Sequence, residues 1–226
     1  MPFRAILFDF GGTLDGPGDP WVDRFRRLYA EAGRPLPQAD LERAFGHATR
    51  QAYGDPHMRH CNNLRETAEL HVSWQLEALG WDDEALSQRL VEGFVATTRT
   101  ALSASRALLS RWRSRTRLGV ISNFYGNVAL LLAEVGIAPL LDVIIDSNAA
   151  GVAKPDPQIF RLALEAIRCE PGDALYVGDS FDKDVLGAHA AGLRAGWLAP
   201  TTAADDPRRS QADYILHQLA DLETLL

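Results

Sequence analysis

Cysteine is almost absent from this chain. Cys61 and Cys169 are the only two, far apart and in no metal-ligand spacing, which argues against a disulfide framework or a cysteine-bound zinc and predicts a reduced, intracellular protein. Lysine is equally scarce: only Lys154 and Lys183 occur, against a large population of arginines. Positive charge does not dominate either, since the formal net charge is -7. That balance argues against a general nucleic-acid or anionic-membrane surface. No apolar run approaches the length of a secretory h-region or a membrane span, and Met1-Pro2-Phe3-Arg4 leads straight into the first apolar segment. The expectation is a cytoplasmic protein with neither a membrane nor a nucleic acid as partner. Internal repeats and low-complexity tracts are lacking as well.

What remains is ordinary globular composition: 226 residues, 46% hydrophobic and 23% charged, enough for one generous domain or for a domain with a smaller one inserted. Ala5-Ile6-Leu7-Phe8 reads as a buried parallel strand. Beyond the turn cluster Gly16-Pro17-Gly18-Asp19-Pro20, the residues Trp21, Phe25, Leu28 and Tyr29 recur at helical spacing. Further helices are predicted over about 40–53, 64–79 and 84–96, with hinges near Gly16 and over 97–103. Strand and helix then alternate. The spacing predicts a helix at 104–113, strands at 117–121 and 141–145, a helix at 157–167, a strand at 174–177, a helix at 183–191, a strand at 195–198 and a closing strand and helix over 213–225. The pattern predicts an α/β protein with a doubly wound, Rossmann-like parallel sheet as core (residues 1–16 and 98–226) and an inserted helical domain (17–97).

Polar residues interrupt this alternation at four places. Asp9 stands at the carboxyl end of the first strand, where open α/β sheets bind ligands, and Gly11-Gly12 let the backbone turn with its amides exposed. Ser122-Asn123 follows an apolar strand, so hydroxyl and amides emerge at the same sheet edge, where a phosphate could be held. Alone, such a pair serves equally well as a turn or a helix N-cap. Lys154 lies in Gly151-Val152-Ala153-Lys154-Pro155-Asp156-Pro157, a loop closing on a proline-started helix. Asp179 and Asp184, in Val177-Gly178-Asp179-Ser180-Phe181-Asp182-Lys183-Asp184, follow another strand. Capping would need one of these carboxylates, whereas Mg²⁺ takes hard oxygen ligands from more than one loop.

In their order and placement the four segments resemble the motifs of the haloacid dehalogenase-like hydrolase superfamily, in the branch that carries a four-helix cap between its first and second motifs. The usual first motif is Asp-x-Asp-x-Thr/Val followed by an apolar residue; Asp9, Thr13 and Leu14 fit it and Gly11 does not. The resemblance implies a Mg²⁺-dependent phosphatase acting on a small phosphorylated metabolite. Asp9 would be the nucleophile and Lys154 a point charge beside it. Gly11, Gly12, Ser122, Asn123 and Lys154 would hold the phosphate. Asp9, the Gly11 carbonyl, Asp179 and Asp184 would hold the metal. The family's second Asp is its general acid/base, so the resemblance also implies an attacking group without its usual proton donor. Asp15 is the nearest substitute carboxylate, a turn or capping role being its other use. Residues 57–63, a polar stretch between two helices, are the candidate for substrate choice.

Other readings separate by residue. The phosphonoacetaldehyde hydrolase type needs a cap lysine, and none occurs between Asp15 and Lys154. The 2-haloacid dehalogenase type displaces halide without a metal, and the pair Asp179 and Asp184 speaks against it. A phosphate-binding protein that has lost catalysis gains nothing from an anionic Asp9 facing an anionic ligand. Arg111, Arg113, Arg115 and Arg117 invite a nucleic-acid reading, but they read better as the solvated end of a helix.

Overall fold

Ala5–Phe8 forms the central strand, β1, because four apolar residues in succession can bury both faces of a sheet. Its partners are β2 (Arg117–Ser122) on one side and β4 (Ala174–Gly178) on the other; β3 (Val143–Asp146), β5 (Arg194–Leu198) and β6 (Tyr214–Leu216) extend the sheet outward. The order is β3-β2-β1-β4-β5-β6 and every pairing is parallel. Side chains alternate between two cores. Ile6 and Phe8 pack with Leu118, Val120, Leu175 and Val177 on one face, and Ala5 and Leu7 with Tyr176 and Val143 on the other. The computed structural model describes residues 3–199 and 206–226; Met1 and Pro2, read above as leading into β1, lie outside the described residues.

The chain order reverses at β1 and β4, so the crevice beyond their carboxyl ends is where a doubly wound sheet takes its ligand. Phe8 pairs in register with Val120 and Val177, which brings Asp9, Ser122 and Asp179 to one edge.

Between β1 and β2 the chain makes four helices: α1 (Trp21–Glu31), α2 (Gln38–Gly54), α3 (Leu64–Leu79) and α4 (Glu84–Trp112). Asn63 and Asp83 cap the last two, accepting from Glu66 N and Leu86 N at 2.9 Å each. The expected break over 97–103 does not exist: α4 runs unbroken through it. Thr97 and Thr100, which lower helix propensity, donate their hydroxyls to carbonyls one turn back within the helix. Thr98 accepts from Arg24 at 2.7 Å, and Ser105 donates to the Leu14 carbonyl at 2.7 Å. Tertiary bonds outweigh a propensity difference of a few tenths of a kcal/mol, roughly, per residue.

The remaining helices are α5 (Val128–Glu134), α6 (Ser147–Ala150), α7 (Pro157–Ile167) and α8 (Leu186–Ala190). The segment expected as one helix over 183–191 begins as a wide turn, Phe181–Val185, before α8. The terminal helix is a tighter 3₁₀ segment, Leu219–Leu225. Of the arginine-rich stretch, Arg111 and Arg115 pair with Glu223 at 2.9 and 3.5 Å. Among the described residues no helix is long and apolar enough to cross a membrane.

Candidate active site

Asp9 is fixed by its own backbone. Its N–H donates to the Val177 carbonyl at 2.8 Å, tying it to β4. The turn Phe10–Leu14 then swings away and is closed by Asp15, whose Oδ1 accepts from Gly12 N at 2.6 Å. Gly12 sits at φ +88°, and a Cβ there would lie 2.4 Å from Asp179 Oδ2, so only glycine fits between the turn and that carboxylate. Gly11 is different: φ is -72° and a Cβ would meet nothing nearer than Trp21 Nε1 at 3.6 Å.

The buried lysine is the hub. Lys154 Nζ lies 2.8 Å from Asp9 Oδ1 and 2.7 Å from Asp184 Oδ1, and it donates to Tyr176 Oη at 2.8 Å. Tyr176 in turn donates its hydroxyl hydrogen bond to the Ile121 carbonyl at 2.9 Å. The other Asp184 oxygen accepts from Ser180 N at 2.9 Å, and the Asp179 carbonyl accepts from Trp197 Nε1 at 2.8 Å. Asn123 clips the lysine's main chain from both sides, its Nδ2 donating to Lys154 O at 2.9 Å and its Oδ1 accepting from Lys154 N at 2.8 Å. The Asn123 side chain is thus engaged in placing Lys154. Ser122, at the end of β2, is buried.

Three carboxylates share this space. One oxygen each of Asp9, Asp179 and Asp184 falls within 4.8 Å of the others. Burial pushes the Asp9 carboxyl up to about 6 despite the pull of Lys154. Burial, reinforced by the charges of Asp9 and Asp184, pushes Asp179 well above the usual carboxylate range. Burial alone would lower Lys154, but Asp184 and Asp9 overcome it and raise the ammonium to about 12. One permanent cation therefore faces three acids, and the donor set carries an excess of negative charge built from hard oxygens.

A cavity of about 380 Å³ opens above the sheet edge, lined by Asp9, Gly11, Ser122, Asn123, Lys154, Asp179 and Asp184. Of the residues expected to act as nucleophile or to hold the phosphate or the metal, Gly12 alone is set back, behind Asp179. The roof was not anticipated. It comes from Trp21 on α1 and from Phe45, Thr49 and Tyr53 on α2, completed by Phe124 and Tyr125 after β2. Phe45, Thr49 and Tyr53 recur every four residues, a spacing legible in the sequence as one helix face but not as a ligand wall. Residues 57–63 are not among those around the cavity; Met58 and Cys61 are buried in the core and draw that stretch inward. Tyr176 was also missed, although a lone hydroxyl within an apolar strand is a usable signal.

Asp15 is engaged on both of its oxygens. Trp21 Nε1 donates to its Oδ2 at 2.6 Å, and Arg24 Nη2 lies 3.2 Å from its Oδ1 and from Asp19 Oδ1. Both partners of the Asp15–Arg24 pair are buried. Arg24→Met should lower the free energy of unfolding by about 3–5 kcal/mol by stranding that carboxylate, as read from urea denaturation. An unchanged midpoint would mean the pair is not structural.

Fold and site together define the class: the family model for haloacid dehalogenase-like hydrolases matches residues 3–192, and the chain belongs to that family. It is 35% identical to the human haloacid dehalogenase-like hydrolase domain-containing protein 3, over 98% of this chain and 93% of that one. Against the bovine and mouse counterparts the matched stretch spans 46% and 56% of their length. A glyceraldehyde 3-phosphate phosphatase from Methanothermobacter thermautotrophicus is 30% identical over 85% of this chain and 84% of its own. Among solved structures, the magnesium-bound HAD-hydrolase YfnB from Bacillus subtilis is similar at a TM-score of 0.60, with 20% identity, covering 100% of this chain and 99% of that one. The L-2-haloacid dehalogenase from Xanthobacter autotrophicus reaches the same TM-score of 0.60 at 18% identity, covering 99% and 98%. Both likenesses are of fold alone.

Proposed function

We propose that the protein is a Mg²⁺-dependent phosphatase for small phosphate monoesters or acyl phosphates, with Asp9 as nucleophile. The observation that supports this most is the gathering of Asp9, Asp179 and Asp184 within 4.8 Å around one lysine. A dehalogenase working without a metal has no use for so costly a cluster of buried acids, whereas a divalent cation would relieve it. Asp9, Asp179 and the Gly11 carbonyl would hold Mg²⁺, with Asp184 at its margin because both its oxygens are already hydrogen-bonded. Bound there, the metal would supply positive charge against the phosphoryl oxygens.

The chain's own residues do the rest. Lys154 holds Asp9 Oδ1, which leaves the other oxygen to attack phosphorus; a bond forms from Asp9 to phosphorus as the bond from phosphorus to the leaving oxygen breaks. Lys154 offsets the charge that builds during transfer. Ser122 and the start of the turn after Asp9, at Gly11, hold the phosphate, the Gly12 N–H being taken by Asp15. Water then attacks the aspartyl-phosphate, releasing inorganic phosphate and restoring the carboxylate. In this reading residues 17–97 are the cap that roofs the cavity, and 1–16 with 98–226 are the core.

Phosphate release over a panel of esters and acyl phosphates, with Mg²⁺ and after exhaustive chelation, tests the reading. Turnover should appear with Mg²⁺, vanish on chelation and return when the ion is restored. Full activity without metal would overturn the mechanism. Halide release from a 2-haloacid would favour the dehalogenase, and phosphate binding with no release would favour a binding protein.

A further inference from the structure

The roof of the cavity carries information about the leaving group. Five of the seventeen residues around the cavity are aromatic, against 8% of the chain. Trp21, Phe124 and Tyr125 are buried, while Phe45 and Tyr53 keep partial exposure. The rings meet edge to face: Trp21 and Phe124 have centroids 5.5 Å apart at 86°, Tyr53 and Tyr125 5.2 Å apart at 80°. A wall built this way offers both ring edges and ring faces.

Charge is missing from the same wall. The lining residues from the helical segment, including Val22 and Thr49, contain no ionisable group other than the Tyr53 phenol, and burial pushes that phenol above its ordinary pKa. Every charged lining residue comes from the sheet edge. Apart from Lys154, which Asp9 and Asp184 already engage, the only lining cation among the described residues is Lys183, exposed at the mouth. A leaving group bearing a carboxylate would thus meet aromatic rings with no partner for its charge, an arrangement that disfavours it. A planar uncharged ring would find complementary edges and faces, which a saturated ring of the same size would not.

We infer that the cavity selects phosphate monoesters whose leaving group is an uncharged aromatic ring, read by Tyr53 and Phe45 of α2 together with Trp21, Phe124 and Tyr125. This rests on the phosphatase reading for the phosphoryl end and goes beyond it for the other.

Four phosphonates, which cannot be hydrolysed, separate the two parts: methylphosphonate, cyclohexylmethylphosphonate, benzylphosphonate and 4-carboxybenzylphosphonate, titrated calorimetrically into the full chain with Mg²⁺. Benzylphosphonate should bind about tenfold more tightly than the cyclohexylmethyl compound, and the carboxylated ring at least about tenfold more weakly than benzyl. Tyr53→Leu should shrink the benzyl to cyclohexylmethyl ratio below about threefold, a change that a purely structural role for Tyr53 would not produce. Equal affinities for the two rings, or a preference for the carboxylate through Lys183, would overturn the inference while methylphosphonate binding left the phosphoryl site standing. No binding of any of the four, methylphosphonate included, would remove both.

Discussion

Asp9→Asn should reduce turnover by about 10⁴-fold or more, because an amide has nearly the shape of the carboxylate and almost none of its nucleophilicity. The structure adds an expectation about folding. Asp9 is buried, its carboxyl pushed up to about 6 chiefly by that burial. A raised carboxylate pKa means that the charged form is the strained one near neutrality, so a neutral side chain of the same size should leave stability unchanged or raise it. Lys154 keeps its contact with Asp184 and with Tyr176. The expected result is a folded, inactive protein whose melting temperature is no lower than wild type. Undiminished phosphate release from that variant would remove Asp9 from the chemistry; a collapsed melting temperature would mean that its charge is structural.

Gly11→Asp is expected to raise activity. In the wild type no acid stands at this position and Asp15 is held by Gly12, Trp21 and Arg24, so the rate should fall steeply as the leaving group becomes more basic. Aryl and acyl phosphates should far outpace alkyl phosphates. The missing base should also slow hydrolysis of the intermediate, giving a burst of leaving group followed by slow turnover. Nothing in the backbone demands glycine here: φ is -72° and ψ 116°, and a Cβ would make ordinary contact with Trp21 at 3.6 and 3.9 Å. Gly11 lines the cavity, so a carboxyl at this position would join it. The variant should fold, hydrolyse alkyl phosphates about 10²–10⁴-fold faster and flatten the leaving-group dependence. If the folded variant shows no gain and the wild type already handles alkyl phosphates well, another group supplies the proton.

The contrast between Gly11 and Gly12 illustrates how far the sequence reaches. Both read as members of a turn, and nothing local says that one is required by Asp179 and the other is not; that distinction arises across 167 residues of chain. The strands and the acids at their ends were legible because an apolar run followed by a polar residue is a local pattern. Asn123 was legible as a residue after a strand but not as the clip on Lys154, a pairing made only when two loops meet. The roof was hidden for a related reason: Phe45 and Tyr53 lie on a stripe that packs a core in most helices, and here the cavity takes the place of core. The unbroken α4 was not legible because Thr97, Thr98 and Thr100 weaken helix propensity locally, while the bonds that compensate, from Arg24 to Thr98 and from Ser105 to the Leu14 carbonyl, reach other parts of the chain.

The continuity of α4 makes it a lever. It packs against α1 and α3, and its carboxyl-terminal end carries Leu109 and Trp112 into the core, Trp112 stacked on Phe8. The fulcrum is where Thr98 takes Arg24 and Ser105 takes the Leu14 carbonyl, immediately beside the turn that carries Asp9. From Thr98 to Glu84 is about 21 Å of helix, so a tilt of about 5° at the fulcrum swings the far end by about 2 Å. One continuous helix thus spans the distance from the helical segment to the turn that follows Asp9, and a shift at either end is felt at the other.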